Sequence, residues 1–372
     1  MAIKRKEKEI YYSLDRILKE NADYNVIFGE RSNGKTYAVL KYALEQYVKN
    51  GSQLAIVRRY RDDFTGKRGD QIFAGLVNNE VILKLTNGEW SGVRYYSSRW
   101  YLCKYDEKLG KQVMDSEAFA YGFALNTWEH DKMPSYPKIR IIFFDEFITR
   151  DFYLDQEFVL FANVVSTVAR DRGDIKIFMC GNTVNKYNPY FVEMGLKEVK
   201  KMKQGDLQVY TYGESELKVA VEYSYFKQKK KKSDKYFAFN NPKLRMITGG
   251  AWEIALYPHL PYKYKPKDVY FTFFIEYDNE MLQGELINVN DTNFLYIHRK
   301  STELKNTDRD IIYSQKFDPR PNWRRRLTKP KYKWEQKIKF FFDNEKVFYQ
   351  DNDVGELVRN YLNWSDTHEN FA

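Results

Sequence analysis

Gly29-Glu30-Arg31-Ser32-Asn33-Gly34-Lys35-Thr36 fills the pattern of a glycine, four arbitrary residues and Gly-Lys-Thr. Just before it, the apolar run Tyr24-Asn25-Val26-Ile27-Phe28 is short enough for a buried strand. Just after it, Ala38, Val39, Tyr42 and Ala43 recur at helical spacing with no Gly or Pro between them. A strand, a glycine-rich loop and a helix in that order turn backbone N–H groups inward around phosphate, and the helix N-terminus adds its positive dipole end. Lys35 is placed to reach the β- and γ-phosphates and the Thr36 hydroxyl to hold Mg²⁺. The stretch therefore predicts a site for ATP with Mg²⁺, built by Gly29, Glu30, Arg31, Ser32, Asn33, Gly34, Lys35 and Thr36.

A second signal lies about a hundred residues on. Ile139-Arg140-Ile141-Ile142-Phe143-Phe144-Asp145-Glu146 reads as a buried strand that ends in two carboxylates. An acid at such a strand end steadies the Mg²⁺ shell, which assigns Asp145 to the metal. Glu146 beside it can orient and polarise an attacking water, which favours hydrolysis over transfer to an acceptor. Further strands are expected at Gln53–Val57 and Ile175–Cys180, and the helical spacing of Phe158, Phe161, Ala162, Val165, Val168 and Ala169 predicts a helix before the last of these. Arg170 and Arg172 follow that helix as candidate arginine fingers acting on a neighbouring subunit's ATP. Asn182, in the Gly181-Asn182-Thr183 strand end, is placed to hydrogen-bond the γ-phosphate or the water; a simple Asx-turn is the competing account.

Composition bounds the rest. A chain of 372 residues exceeds the usual span of one hydrophobic core, so two domains are expected. A formal charge of +10 favours a polyanionic partner. Candidate cations for DNA are Arg58, Arg59 and Arg61 after the second strand, with Lys67 and Arg68 close by. The block Lys229, Lys230, Lys231 and Lys232 is another, although such runs are often solvated linkers. Two cysteines, Cys103 and Cys180, fit a reducing cytoplasm without disulfides or a zinc site. No apolar stretch is long enough for a membrane span, and no secretory signal is expected. The histidines, His130, His259, His298 and His368, are scattered and read as structural. Tyr11 or Tyr12 is a candidate to clasp the adenine.

The alternation of strand and helix signals predicts an α/β fold with a mainly parallel sheet over residues 1–204. Within it, 72–128 reads as a lid-like antiparallel insertion whose first strand is Val81-Ile82-Leu83. Residues 205–235 read as a linker region. Residues 236–372 read as a basic, smaller α+β domain with a meander of strands at Val269–Glu276, Leu282–Asn288 and Phe294–His298 and a last helix at Asp353–Leu362.

The phosphate loop, the Ile-Ile-Phe-Phe-Asp-Glu strand, the arginine turn and the Cys-Gly-Asn strand end together resemble viral DNA-packaging ATPases. The nearest likeness is to the encapsidation proteins of small protein-primed tailed bacteriophages, relatives of large terminases, over roughly residues 20–190. The resemblance implies a phosphate-loop ATPase of the additional-strand, catalytic-glutamate type. It implies a homo-oligomeric ring, usually a pentamer, docked on the portal (connector) of a procapsid in the host cytoplasm. That ring would drive double-stranded DNA inward, with a structural packaging RNA bridging motor and shell in some members. It assigns Lys35 and Thr36 to phosphate and Mg²⁺, Asp145 to the metal, Glu146 to catalysis, Arg170 to the finger with Arg172 as rival, and Lys132 to a cation acting in trans. The second domain resembles a degenerate ribonuclease-H-like nuclease. Glu276, Asp278, Glu280, Glu285, Asp351 and Asp353 do not form the converging carboxylates that two-metal cutting needs, so nuclease activity is not expected. Two other readings stay open: a helicase-type or replication ATPase acting on single strands, and a structural nucleic-acid-binding protein that holds nucleotide without turning it over.

Overall fold

In the computed structural model, residues 11–130, 135–149, 153–183, 187–225, 257–260, 263–301 and 303–367 are described. The chain divides into two compact units, Met1–Trp252 and Glu253–Ala372. Among the described residues no helix is long and apolar enough to cross a membrane.

The first unit is built on a nine-stranded sheet. Its strands are β1 (Tyr24–Gly29), β2 (Gln53–Arg58), β3 (Gly92–Tyr96), β4 (Arg99–Asp106), β5 (Lys111–Ala124), β6 (Ile139–Asp145), β7 (Lys176–Asn182), β8 (Leu207–Tyr212) and β9 (Leu217–Ser224). The order across the sheet is β3-β4-β5-β2-β6-β7-β1-β9-β8. The six central strands from β5 to β9 are mutually parallel, while the edge pairings β3–β4, β4–β5 and β8–β9 are antiparallel. Central strands buried on both faces need apolar residues at successive positions, which explains the runs Val26-Ile27-Phe28 and Ile141-Ile142-Phe143-Phe144. Val26, Phe28, Ile142 and Phe144 pack to one side with Phe161, Val164 and Val168 of the helix Glu157–Ala169. Ile27, Ile141 and Phe143 pack to the other side with Val39, Leu40, Ala43 and Leu44 of the helix Lys35–Asn50.

Three sequence expectations need correction. Val81-Ile82-Leu83 belongs to a helix, Val81–Leu85, whose Val81 and Ile82 are buried; β-branched residues at those positions serve packing rather than a strand. The 72–128 segment is not a lid set on the sheet. Strand β5 pairs with β2 from Leu54↔Ala120 to Arg58↔Ala124, so the hairpins continue the main sheet. Residues 205–224 are no linker either, because β9 lies beside the phosphate-loop strand with Gly29 opposite Ser224. Lys229 to Lys232 fall outside the described residues.

The second unit carries a six-stranded sheet. Its strands are β10 (Val269–Tyr277), β11 (Glu280–Val289), β12 (Thr292–Arg299), β13 (Ile312–Ser314), β14 (Trp323–Arg324) and β15 (Val347–Tyr349), in the order β14-β13-β10-β11-β12-β15. The three-stranded meander β10-β11-β12 is antiparallel, and β13 joins β10 in parallel. The helices Lys333–Asp343 and Asn352–Thr367 complete it, burying Ile338, Phe341, Val354, Leu357, Val358 and Tyr361.

Candidate nucleotide site

The C-terminal ends of β1, β2, β6 and β7 lie side by side, and in an open parallel sheet that edge is where ligands bind. Four successive turns there deliver Gly29, Arg58, Asp145 and Asn182. The loop after β1 bends sharply. Gly29 has φ +152°, and a Cβ on it would stand 2.2 Å from the Ser224 hydroxyl, so only glycine fits against β9. Gly34, at φ +94°, turns the chain into the helix Lys35–Asn50. Asn33 fastens the loop from inside: its amide donates to Ser224 Oγ at 3.0 Å, and that hydroxyl donates to the Phe28 carbonyl at 3.0 Å.

The Lys35 ammonium is buried and donates to Glu30 O at 2.6 Å, Gly29 O at 3.3 Å, Asn33 Oδ1 at 3.2 Å and Asn182 Oδ1 at 3.4 Å. It is thus held at the mouth of the loop. Thr36 Oγ1 donates to Asp145 Oδ1 at 2.9 Å. Asp145 is buried, and its other oxygen accepts from Arg58. Arg58 also reaches Glu146 Oε2 at 3.4 Å. Burial works against the Arg58 charge, yet Asp145 and Glu146 beside it hold its pKa above the usual arginine value. Glu146 differs from Asp145 in being exposed, and its φ of +62° lies in the left-handed region, uncommon for a residue with a side chain. Lys35, Thr36, Glu146 and Asn182 line an open cleft of about 700 Å³ with Tyr11, Ile72, Leu76 and Asn79 among its other walls, and Asp145 and Arg58 lie behind this lining. Tyr11 lies at its rim, whereas Tyr12 turns away and donates to Glu222 at 2.7 Å.

Other candidates separate. Arg59 is no DNA contact: it is buried and forms a fork with Glu157. Arg58 faces the two carboxylates rather than solvent. Arg61, Lys67 and Arg68 are exposed on the segment after β2. Arg172 is consumed within its own chain, donating to the carbonyls of Tyr136, Pro137, Ile139, Val168 and Ala169, which anchors the end of the helix Glu157–Ala169. A finger must reach another subunit, and these bonds hold Arg172 back. Arg170 is exposed at that helix C-terminus, with φ +40°. Lys132 lies outside the described residues. The buried partnership of Arg59 with Glu157, 98 residues away, leaves no mark in the local sequence.

A glycine-rich loop between strand and helix, backed by paired acids on the neighbouring-but-one strand of a mainly parallel sheet, defines a mixed α/β protein of the phosphate-loop class. Residues 6–80 and 104–306 match the podovirus DNA encapsidation protein (Gp16) family, and the chain belongs to it. It is similar to the DNA packaging protein of Bacillus phage phi29, with 25% identity over 195 residues, and to that of Bacillus phage B103, with 30% over 188 residues. The chain spans about half the length of these curated relatives, 52% and 50%, using 51% and 50% of its own. Among solved structures it resembles the Phi-28 gp11 DNA packaging motor, with TM-score 0.56 and 19% identity over 97% of this chain and 99% of that one. It also resembles the bacteriophage Phi-29 viral genome packaging motor assembly, with TM-score 0.54 and 18% identity over 94% and 99%. At these identities the likeness is one of fold.

Proposed function

We propose that this chain is the ATP-hydrolysing subunit of a ring that drives double-stranded DNA into a viral procapsid. The observation that carries the reading is the convergence of Lys35, Thr36 and Glu146 on one cleft, with Asp145 hydrogen-bonded to Thr36. Thr36 and Asp145 present hard oxygens 2.9 Å apart beside the loop, a donor set suited to Mg²⁺. Thr36 and Asp145 would hold such an ion, which would supply neutralisation of the phosphate charge. Lys35 exchanges loop carbonyls for phosphate oxygens. Glu146 orients the attacking water and draws off its proton, and Asn182 contacts the γ-phosphate side. Arg170 acts on the neighbouring subunit's nucleotide, and Lys132, which lies outside the described residues, is assigned as a second cation acting in trans.

Family membership supports the DNA substrate, the ring (a pentamer), the portal of the procapsid as its seat within the host cytoplasm, and a packaging RNA as a further partner. We assign DNA phosphates to Arg61, Lys67 and Arg68, which are exposed, and to Lys229, Lys230, Lys231 and Lys232, which lie outside the described residues. In the second unit, the strand order β14-β13-β10-β11-β12, with β13 parallel to β10, supports a ribonuclease-H-like sheet. Its carboxylates are already engaged: Glu276 by Ser314 and Lys316, Glu280 and Asp351 by Arg299, Glu285 by Tyr264 and Gln283. We take it as a domain without cutting chemistry.

The test is steady-state ATP turnover with double-stranded DNA, single-stranded DNA or RNA across a salt series. Stimulation mainly by double strands, weakening steeply with salt as counterions are released, is expected. Stimulation by single strands alone would favour the helicase-type reading, and nucleotide binding without turnover the structural one.

A further inference from the structure

Glu146 needs something to hold it. Its left-handed backbone is costly for a residue with a side chain, and its carboxylate stands exposed at the cleft. Directly behind it lies Arg59, whose Nη1 donates to the Glu146 carbonyl at 3.3 Å and whose Nη2 donates to the Phe147 carbonyl at 3.0 Å. Arg59 is in turn gripped by Glu157, which has no exposed side-chain surface: Nε donates to Oε2 at 2.6 Å and Nη2 to Oε1 at 2.7 Å. The buried carboxylate is completed by the Tyr190 hydroxyl at 2.7 Å and the Leu154 N–H at 2.8 Å. Tyr153 places its ring 5.2 Å from the guanidinium carbon. Burial disfavours the Arg59 charge, but Glu157 keeps its pKa above the usual arginine value.

We infer that Arg59, Glu157 and Tyr190 form a buried lock that positions Glu146 for hydrolysis, an inference resting on the reading of Glu146 as the residue that orients water. A charged, fully bonded fork inside a core is weak evidence for stability alone, because apolar side chains of equal volume fill such space at least as well. What this fork adds is direction. It clamps two successive carbonyls of the turn that carries Glu146 and ties them to the N-terminal turn of the helix Glu157–Ala169, whose far end is Arg170. The turn and that helix therefore form one mechanical piece. Lysine at 59 cannot replace the arginine, since one ammonium lacks the planar fork that meets Glu157 and both carbonyls together.

The experiment uses the full chain with Glu157→Gln and Tyr190→Phe, each in wild type and in Glu146→Gln, reading ATP affinity with a fluorescent analogue and single-turnover hydrolysis. In wild type, we expect hydrolysis to fall about tenfold or more for Glu157→Gln and roughly threefold for Tyr190→Phe, with affinity within about twofold. In the Glu146→Gln background neither variant is expected to cost more than about twofold further, because the group being positioned is gone. Equal losses in both backgrounds, or affinity falling in step with rate, would overturn the lock. Tyr190→Phe keeps the ring packing and removes one hydrogen bond, so it decides the matter if Glu157→Gln does not fold; unchanged hydrolysis in it counts against the proposal. Full turnover by Glu146→Gln alone would bring down the underlying ATPase reading and the lock with it.

Discussion

Acidic side chains occur at strand ends in both units, yet they are used in opposite ways. In the first, Asp145 ends a strand hydrogen-bonded to Thr36, and Glu146 after it enters the cleft lined by Lys35 and Thr36 with its carboxylate in solvent. In the second, Glu276, Glu280, Glu285 and Asp351 are each bonded to a neighbour of the same unit: Lys316 at 2.6 Å, Arg299 at 2.9 Å twice, and Tyr264 at 2.6 Å. Among the described residues no group of three or more His, Cys, Asp or Glu gathers as a metal site. The difference lies in the partners: Asp145 is bonded to Thr36 and Arg58 at the phosphate loop and Glu146 stands exposed beside it, whereas the acids of the second unit are bonded to cations and hydroxyls of that unit.

The largest effects should fall in the first unit. Lys35→Ala is expected to weaken ATP binding by about 100-fold or more, the loss of charge-assisted bonds worth about 3 kcal/mol, measured by nucleotide titration. Unchanged affinity would place the nucleotide elsewhere. Smaller effects belong to the second unit. Arg299→Ala severs partly exposed pairs to Glu280 and Asp351 and should cost about 1 kcal/mol of stability, read from denaturant unfolding, with ATP turnover unaltered.

The His298–Glu285 contact, 3.5 Å apart, sharpens the comparison through pH. Burial acts to lower the His298 pKa, but the hydrogen bond to Glu285 leaves it raised above 6.5. A raised histidine pKa means stability fully present below the unfolded value and lost as pH rises through the folded one. Burial acts to raise the Glu285 pKa, and bonds from His298, Tyr264 and Gln283 leave it below 4.5, so its contribution is lost only as pH falls through that lower value. Resistance to thermal unfolding should therefore fall as pH climbs from about 6 to 8, and His298→Gln should flatten that slope. A wild-type slope in the variant would show that the pair is silent. The smallest effect is expected for Lys316→Met: its exposed ammonium pairs with Glu276, and losing it should cost less than about 1 kcal/mol. Nuclease activity appearing with Mn²⁺ in that variant would break the contrast between the units.

Much of the first unit was readable in the sequence because its central strands are continuous apolar runs, and the phosphate loop needs its glycines at set places. The strand Leu217–Ser224 is hidden in the sequence because a glycine-spaced, charged stretch leads into it, although Val219, Ala220, Val221 and Tyr223 are all buried. Arg58-Arg59-Tyr60-Arg61 looked like one basic patch. Folding splits it residue by residue: Arg58 toward the carboxylates, Arg59 into the core, Tyr60 and Arg61 to solvent. Such assignments depend on partners far along the chain, Asp145 and Glu157, and local pattern carries no trace of them. The acids of the second unit were visible as residues, but the cations that hold them were not visible as their partners.

The most direct test of the central claim is ATP turnover by wild type and Glu146→Gln with double-stranded DNA present, at matched nucleotide occupancy. The account predicts that the variant binds ATP as wild type does while turnover drops about 100- to 1,000-fold. Turnover at the wild-type rate in a fully occupied Glu146→Gln would contradict it.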